Sequence, residues 1–186
     1  MSRLMVFNSV SVDGYFTDMN GDMSWAHQDD PEWRDFTTQN VSGEGGILLF
    51  GRVTYEMMAS HWPTPQAKEQ FPDVARRMNS AQKVVFSRTL NKASWNNTRL
   101  IEHDLVAEVR RMKREAADMV ILGSGTIVSQ LAQANLIDQY QLIVVPIVLG
   151  AGRTLFDGVT SKMPLKRTQH RAFTNGNVLL TYEPAV

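Results

Sequence analysis

The chain of 186 residues contains no cysteine. Disulfide bonds, a thiolate nucleophile and cysteine-based zinc sites are therefore excluded. An excess of either charge is also missing, since 19 Lys and Arg stand against 19 Asp and Glu. Without a net basic field, nucleic acid is not expected as a main partner. No apolar run approaches the roughly 20 residues that span a bilayer. The opening MSRLMVFNSV lacks a long apolar segment ending in a small-residue cleavage site. It reads as a first strand and not as a signal peptide, so a cytoplasmic location and no membrane partner are expected. The four histidines (His27, His61, His103 and His170) are scattered, with no close pair at metal-ligand spacing. No metal is expected. Linkers, repeats and low-complexity tracts are absent, which leaves one domain over residues 1–186.

What is present is a soluble globular composition, 43% apolar and 20% charged, enough for one sizeable core. Leu4–Val10 is an apolar strand, broken by Asp13-Gly14, and a polar, Met-containing loop runs to about Trp25. Asp30-Pro31-Glu32 starts a helix, with Asp30 as N-cap and Pro31 at the first helical position. That helix is expected to end near Gly43. Ile47–Phe50 is a continuously apolar run suited to a buried parallel strand, ended by Gly51 and followed by a helix over Thr54–Ser60. Gln66–Met78 is an amphipathic helix interrupted by Pro72. Strands over Lys83–Phe86 and Arg99–Ile101 precede a helix capped by Asp104, with Leu105, Val106, Val109 and Met112 on one face. Met119–Leu122 is another buried strand and Thr126–Ala134 another helix. From Gln139 the pattern changes: Gln139–Val145 is a strand, and Lys166–Phe173 and Val178–Tyr182 flank the hairpin signal Asn175-Gly176. The order predicts an α/β fold with a mixed, mostly parallel sheet, helices on both faces and an antiparallel C-terminal part.

Four short segments stand out, SVDGYF (Ser11–Phe16), GRVTYE (Gly51–Glu56), FSR (Phe86–Arg88) and LGSGT (Leu122–Thr126), and three of them sit where a predicted strand ends. Ligands of open α/β sheets bind at the carboxyl ends of the strands. In GRVTYE, helix N–H groups, the Thr54 hydroxyl and the Arg52 guanidinium can converge on a phosphate. An ordinary strand-to-helix turn with a solvated arginine has the same residues. Ser87 and Arg88 suit a second phosphate, such as the one that distinguishes NADPH from NADH, and equally a plain turn. Gly123 and Gly125 flank Ser124 and let the backbone approach a pyrophosphate. LGSGT is not a Rossmann fingerprint, because Val128 stands where the third glycine belongs. It lacks the Lys-Ser/Thr of a Walker A loop and the first glycine of a G-x-S-x-G elbow. Gly150-Ala151-Gly152-Arg153 is a further glycine-rich turn, read as structural at its glycines. Asp29, Asp30 and Glu32 form an acidic cluster that helix capping explains; a carboxylate beside a reduced heterocycle can also supply a proton. The methionines read as core filler.

Taken together, these segments resemble the dihydrofolate reductase superfamily, and most closely the branch with the reductase domain of the riboflavin-biosynthesis deaminase-reductase. The resemblance covers roughly Arg3 to Glu183. Ser11-Val12-Asp13 is similar to the family's A-V-D segment, and Asn20-Gly21-Asp22-Met23-Ser24-Trp25 to its N-x-M-P-W loop with one extra residue. G-R-x-T-x-E is matched in full by Gly51, Arg52, Thr54 and Glu56. The resemblance implies a three-layer dihydrofolate reductase-like fold with NADPH as cofactor. Asn8 and Ser9 would lie beside the nicotinamide, with Phe16 and the following loop over the ring. Arg52 and Thr54 would hold cofactor phosphates, and Ser87 and Arg88 the adenosine phosphate. Leu122, Gly123, Ser124, Gly125 and Thr126 would follow the pyrophosphate, Ser124 replacing a glycine.

The carboxylate candidates for proton supply are Asp30, five residues after Trp25, and Asp13. The context HQDDPEW departs from the folate-reducing pattern, whereas Pro146, the Gly-x-Gly-Arg-x-Leu-Phe stretch and the Asn175-Gly176 hairpin are similar to the riboflavin-type branch. The deaminase half and its zinc motif are absent. The implied activity is NADPH-dependent hydride transfer to a C=N or C=O group of a small pterin- or pyrimidine-like substrate. A nucleotide- or folate-binding protein without turnover is the alternative, and a homodimer is implied by the branch.

Overall fold

Ile47, Leu48, Leu49 and Phe50 have no polar neighbour in sequence to turn outward, so both faces of that segment must be covered. The computed structural model describes residues 2–26, 30–40, 46–115 and 117–185. In it β3 (Ile47–Gly51) is buried at every position and lies near the middle of an eight-stranded sheet. The other strands of that sheet are β1 (Leu4–Ser11), β4 (Gln82–Phe86), β5 (Thr98–Ile101), β6 (Met119–Leu122), β7 (Gln139–Val145), β9 (Leu165–Ala172) and β10 (Val178–Pro184). Their spatial order is β5-β4-β3-β6-β1-β7-β10-β9. Every pairing is parallel except those of β10 with β7 and with β9. The antiparallel C-terminal part is the run β7-β10-β9, in which β7 also pairs in parallel with β1. A helix carries the chain from β6 to β7, so β7 enters in the same direction as β1. Two strands too short to show periodicity, β2 (Tyr15–Thr17) and β8 (Arg153–Thr154), form a separate antiparallel pair.

Helices cover both faces. Phe7, Leu48, Phe50, Val85 and Leu122 share one face, covered by α1 (Pro31–Asn40), α2 (Arg52–His61) and α4 (Pro72–Ser80) through Trp33, Phe36, Tyr55 and Met78. The opposite face, with Leu4, Val6, Leu49, Val84 and Ile121, packs against Val109 and Met112 of α5 (Leu105–Glu115). Ile127, Val128 and Leu131 of α6 (Gly125–Gln133) complete that layer. This is three-layer packing with period-2 strands between amphipathic helices. Asp30 accepts from Trp33 N at 2.8 Å, the expected N-cap, and Asp104 accepts from Ala107 N at 3.0 Å.

The helix expected over Gln66–Met78 is two: α3 (Pro65–Gln70) and α4, separated at Phe71 with φ −135° and ψ 63°. Pro72 has no N–H to continue the ladder but fits the first position of a new helix. At Asn175-Gly176 the loop is three residues long. Gly176 N donates to Phe173 O at 3.0 Å, Phe173 N donates to Asn177 O at 2.9 Å, and Gly176 takes φ 89°. His27, Asp29 and the helix end near Gly43 lie outside the described residues.

The amino ends of β4 and β5 are closed by a polar knot. Lys83 is 2% exposed; its ammonium donates to Ala81 O at 2.6 Å and Asn79 O at 3.3 Å and lies 4.5 Å over the Trp95 ring. Trp95 Nε1 donates to Asn79 Oδ1 at 2.7 Å, and Trp95 N to the Tyr55 hydroxyl at 2.9 Å. Burial pushes the Lys83 ammonium down to about 8, against roughly 10.4 for an exposed lysine. Between those values the native state binds fewer protons than the unfolded chain, so stability rises with pH through that window; below it the cost of the buried charge is present in full. Relative to Lys83→Met, the wild-type protein should gain up to roughly 3 kcal/mol between about pH 7 and about pH 10.5. Urea titrations across that range test this, and a difference independent of pH would contradict it.

Candidate cofactor site

β3 runs directly into α2, and its neighbour β6 runs into α6 by way of Gly123 and Ser124. Since β3 and β6 are parallel partners, Leu49 opposite Ile121, the N-termini of α2 and α6 open at the same rim of the sheet, one on each side of it. Exposed N–H groups and the positive ends of two helix dipoles are thereby brought together.

One side chain ties the two turns. Ser124 Oγ accepts from Gly51 N at 2.7 Å and donates to Thr54 Oγ1 at 3.1 Å. Ser124 itself sits in the left-handed region, φ 63°, as the residue before α6. The turns are so close that a Cβ on Gly51 would stand 2.7 Å from Ser124 Oγ, and one on Gly123 would stand 2.8 Å from the Thr54 methyl. Thr54 and Ser124 are each 8% exposed. The Thr54 hydroxyl, expected to face a phosphate, is committed first to this strut, with only its own proton left to donate.

A cavity of about 820 Å³ opens at this rim. It is lined by Phe16, Gly51, Arg52, Thr54, Ser87, Arg88, Ser124, Gly125 and Thr126, nine residues that the sequence reading had placed at a cofactor. Arg52 is paired with Glu56 at 2.9 Å. Arg88 has no hydrogen-bond or ion-pair partner among the described residues. Ser87 shapes its turn, accepting from Thr89 N at 3.1 Å and Leu90 N at 3.0 Å. Phe16 lies over Gly125, where a Cβ would approach its ring to 2.9 Å.

The other expected residues lie outside this lining. Phe7 pairs with Leu122, so Asn8 and Ser9 continue β1 beside Gly123 and Ser124. Asn8 is 3% exposed, and its Oδ1 has no partner among the described residues. Leu122 is buried in the core under α2. Asp13 departs from the role expected of it. Its carboxylate accepts from Ser11 Oγ at 2.6 Å, Leu149 N at 3.1 Å and Gly150 N at 2.7 Å. Those bonds, the Ser11 hydroxyl first, hold it below the usual carboxylate range. Such a group anchors two loops and is a poor proton donor. Asp30 caps α1, with its second oxygen 3.5 Å from Thr174 Oγ1. Neighbouring Glu32 binds Arg171 at 2.8 Å and Thr174 N at 3.0 Å, and Arg171 above all holds its carboxyl low.

Arg153, Asp157, His103 and Met23 also line the cavity. The glycine-rich turn before Arg153 offered a partial signal. At Gly152 a Cβ would stand 2.0 Å from Thr17 O, so β8 approaches β2 this closely only with glycine there, which brings Arg153 to the cavity wall. His103 carried no signal, because its place depends on β5 lying next to β4.

A mostly parallel sheet with two helix N-termini and a glycine turn at its carboxyl rim is an arrangement suited to a phosphate-bearing ligand. The chain belongs to the RibD C-terminal domain family, whose model matches residues 2–179. An uncharacterized Bacillus subtilis protein, YyaP, is 27% identical over 182 residues, 97% of this chain and 94% of that one. The crystal structure of a putative riboflavin biosynthesis protein from a Shewanella species is similar with TM-score 0.79 and 21% identity, covering 99% of each chain. Dihydrofolate reductase from Enterococcus faecalis, complexed with NADP(H), is similar with TM-score 0.64 and 12% identity, covering 99% of this chain and 97% of that one.

The strut is open to direct test. Ser124→Ala leaves the buried Gly51 N–H without its partner and keeps the left-handed strain, and should cost about 1–3 kcal/mol of stability. Ser124→Gly loses the same bonds but relieves roughly 1 kcal/mol of backbone strain, so it should be the milder of the two in denaturant titrations. A loss well below about 1 kcal/mol in both variants would show that the hydroxyl is not what joins the turns.

Proposed function

We propose that the protein is an NADPH-dependent reductase acting on a C=N or C=O group of a small pterin- or pyrimidine-like heterocycle. The single observation that carries this reading is the convergence, in one cavity, of the α2 and α6 N-termini, the close-packed Gly51 and Gly125, and the unpartnered Arg88. The residues fit the cofactor: helix N-termini and arginines stand where charge must be met. Membership of the RibD C-terminal domain family and the NADP(H) of the Enterococcus neighbour support it.

A reduced nicotinamide supplies the hydride. The chain's own work is orientation and exclusion of water. Arg52, Arg88 and the two helix N-termini hold the phosphates, and the buried Asn8 Oδ1, without a partner among the described residues, is an acceptor that a carboxamide N–H would satisfy. Phe16 and the loop to Trp25 close over the ring as a lid. Asp30, at the α1 N-terminus, is the candidate to hold or relay a proton through water. A cytoplasmic protein with no membrane-spanning helix among the described residues is consistent with this chemistry. A homodimer belongs to the same reading; β9 is exposed along nearly its whole length, and light scattering tests it.

Neither Asp13 nor Asp30 lines the cavity. That favours, as second reading, a nucleotide-binding protein without turnover.

Titration with NADPH and, separately, NADH, followed by tryptophan quenching and thermal stabilisation, decides the first point. Micromolar NADPH binding with much weaker NADH binding is expected; binding of neither would sink the cofactor reading, and NADPH binding without oxidation by any pterin or pyrimidine would favour the second one. Arg88→Ala should weaken NADPH roughly tenfold or more while changing NADH less than about twofold; equal effects remove Arg88 from phosphate recognition. Asn at position 30 still caps a helix, so Asp30→Asn should slow hydride transfer with little loss of stability. Unchanged turnover would leave Asp30 as a cap only.

A further inference from the structure

Two Asn-Gly pairs occur in the chain, Asn20-Gly21 and Asn175-Gly176. Such a pair is chemically labile. A glycine nitrogen with no Cβ beside it can approach the side-chain amide of the preceding residue and close a five-membered ring. Both glycines take a positive φ, 83° at Gly21 and 89° at Gly176, but the two asparagines are held very differently.

Asn175 is pinned. Its Oδ1 accepts from Asn177 N at 3.0 Å, and its Nδ2 is buried with no partner among the described residues. The Gly176 N–H is bound to Phe173 O at 3.0 Å inside the β9–β10 turn. Attack there requires the side chain to leave its hydrogen bond and ammonia to depart from a buried position. Asn20 and Gly21 are both exposed. Asn20 N donates to Asp18 Oδ1 at 2.7 Å, while its side-chain amide has no hydrogen-bond partner among the described residues. The Gly21 N–H is held more loosely, 3.2 Å from Asp18 O, and the space beside Gly21 is open.

We infer that Asn20 is a site of non-enzymatic deamidation, closed to a succinimide by Gly21 N and opened by water to put a carboxylate at the mouth of the cavity. Gly21 N attacks Asn20 Cγ. A C–N bond forms, the Cγ–Nδ2 bond breaks, and ammonia leaves with the proton that Gly21 N gave up through water. A water molecule then adds to one ring carbonyl. Opening on the Cγ side leaves aspartate. Opening at the backbone carbonyl leaves isoaspartate, whose main chain carries one more methylene. Water is consumed and ammonia released, and nothing is oxidised or reduced. The position gives this chemistry a consequence. Thr17, Gly21 and Met23 line the cavity, so the new charge stands beside a site read above as holding an anionic cofactor. Asp18 Oδ1 gathers the N–H groups of both Asn20 and Asp22, at 2.7 and 2.8 Å. The methylene of isoaspartate falls between those two donors and lengthens the turn that Asp18 closes.

Peptide mapping of the full chain aged under mildly alkaline conditions, with isoaspartate labelled by a methyltransferase, reads both pairs at once. In the folded protein Asn20 should lose its amide roughly tenfold or more faster than Asn175, and in urea the two should react at similar rates. Asn175 as fast as Asn20 in the folded protein, or Asn20 no faster there than asparagines outside Asn-Gly pairs, would overturn the proposal. Asn20→Asp supplies the charge without the methylene. It should weaken NADPH roughly twofold at low salt, with the effect fading at high salt; an unchanged affinity would overturn the effect on the cavity. That second arm rests on the cofactor reading and the first does not. A wild-type chain that binds no NADPH would sink the cofactor reading and leave the peptide maps to decide this one.

Discussion

The Ser124 hydroxyl holds the two halves of the rim in register. It accepts from the backbone of one turn and donates to the side chain of the first helix beyond it, both among residues that are largely buried. Because a buried N–H left unpaired costs more than a formed hydrogen bond contributes, the strut constrains Gly51, Thr54 and Gly123 together. The glycines follow from its closeness: there is no room for a Cβ on either. The N-termini of α2 and α6 are aligned as a consequence, and the cavity wall with them.

Charge in this molecule is divided by task. The carboxylates near the loops are used as anchors: Asp13 joins the end of β1 to the Leu149–Gly150 turn, Glu32 joins α1 to the β9–β10 loop, and Glu108 gathers Arg99 and Arg111. Hydrogen bonds and cationic partners hold all three carboxyls low, which suits fixed acceptors and not proton donors. At the cavity the arginines are less committed. Arg88 is unpaired among the described residues, and Arg52 leans on an exposed Glu56, a contact that an incoming anion can displace at little cost.

The two ends of the sheet contrast in the same way. At the amino ends of β4 and β5, Lys83, Asn79, Trp95 and Tyr55 satisfy one another in a closed network. At the carboxyl ends, the N-termini of α2 and α6 and the Arg88 guanidinium face the cavity. A parallel sheet makes this asymmetry available, because its parallel strands leave toward the same rim, where β3, β5 and β6 hand the chain to helix N-termini.

The order of elements was legible from the chain alone. Continuous apolar runs at Ile47–Phe50 and Met119–Leu122, the Asp30-Pro31 and Asp104 caps, and the Asn175-Gly176 turn are local signals, and local physics decides them. The strand-end segments were visible as well, although a plain turn can carry the same glycine, serine and arginine. Other features depended on distant chain. Pro72 showed that a helix was disturbed, but only packing on both sides of Phe71 made two helices of it. β2 and β8 are too short to carry a period and exist because Gly152 lets them touch. The strand order put β6 between β3 and β1, and so put Ser124 against Gly51, a contact across 73 positions. His103 reached the cavity for the same reason. By itself the sequence determined which segments would be strands, helices and turns, because propensity, capping and periodicity act over a few residues. Which turns meet, and which side chains share a cavity, was decided only by tertiary structure, because strand order brings together residues that no local interaction connects.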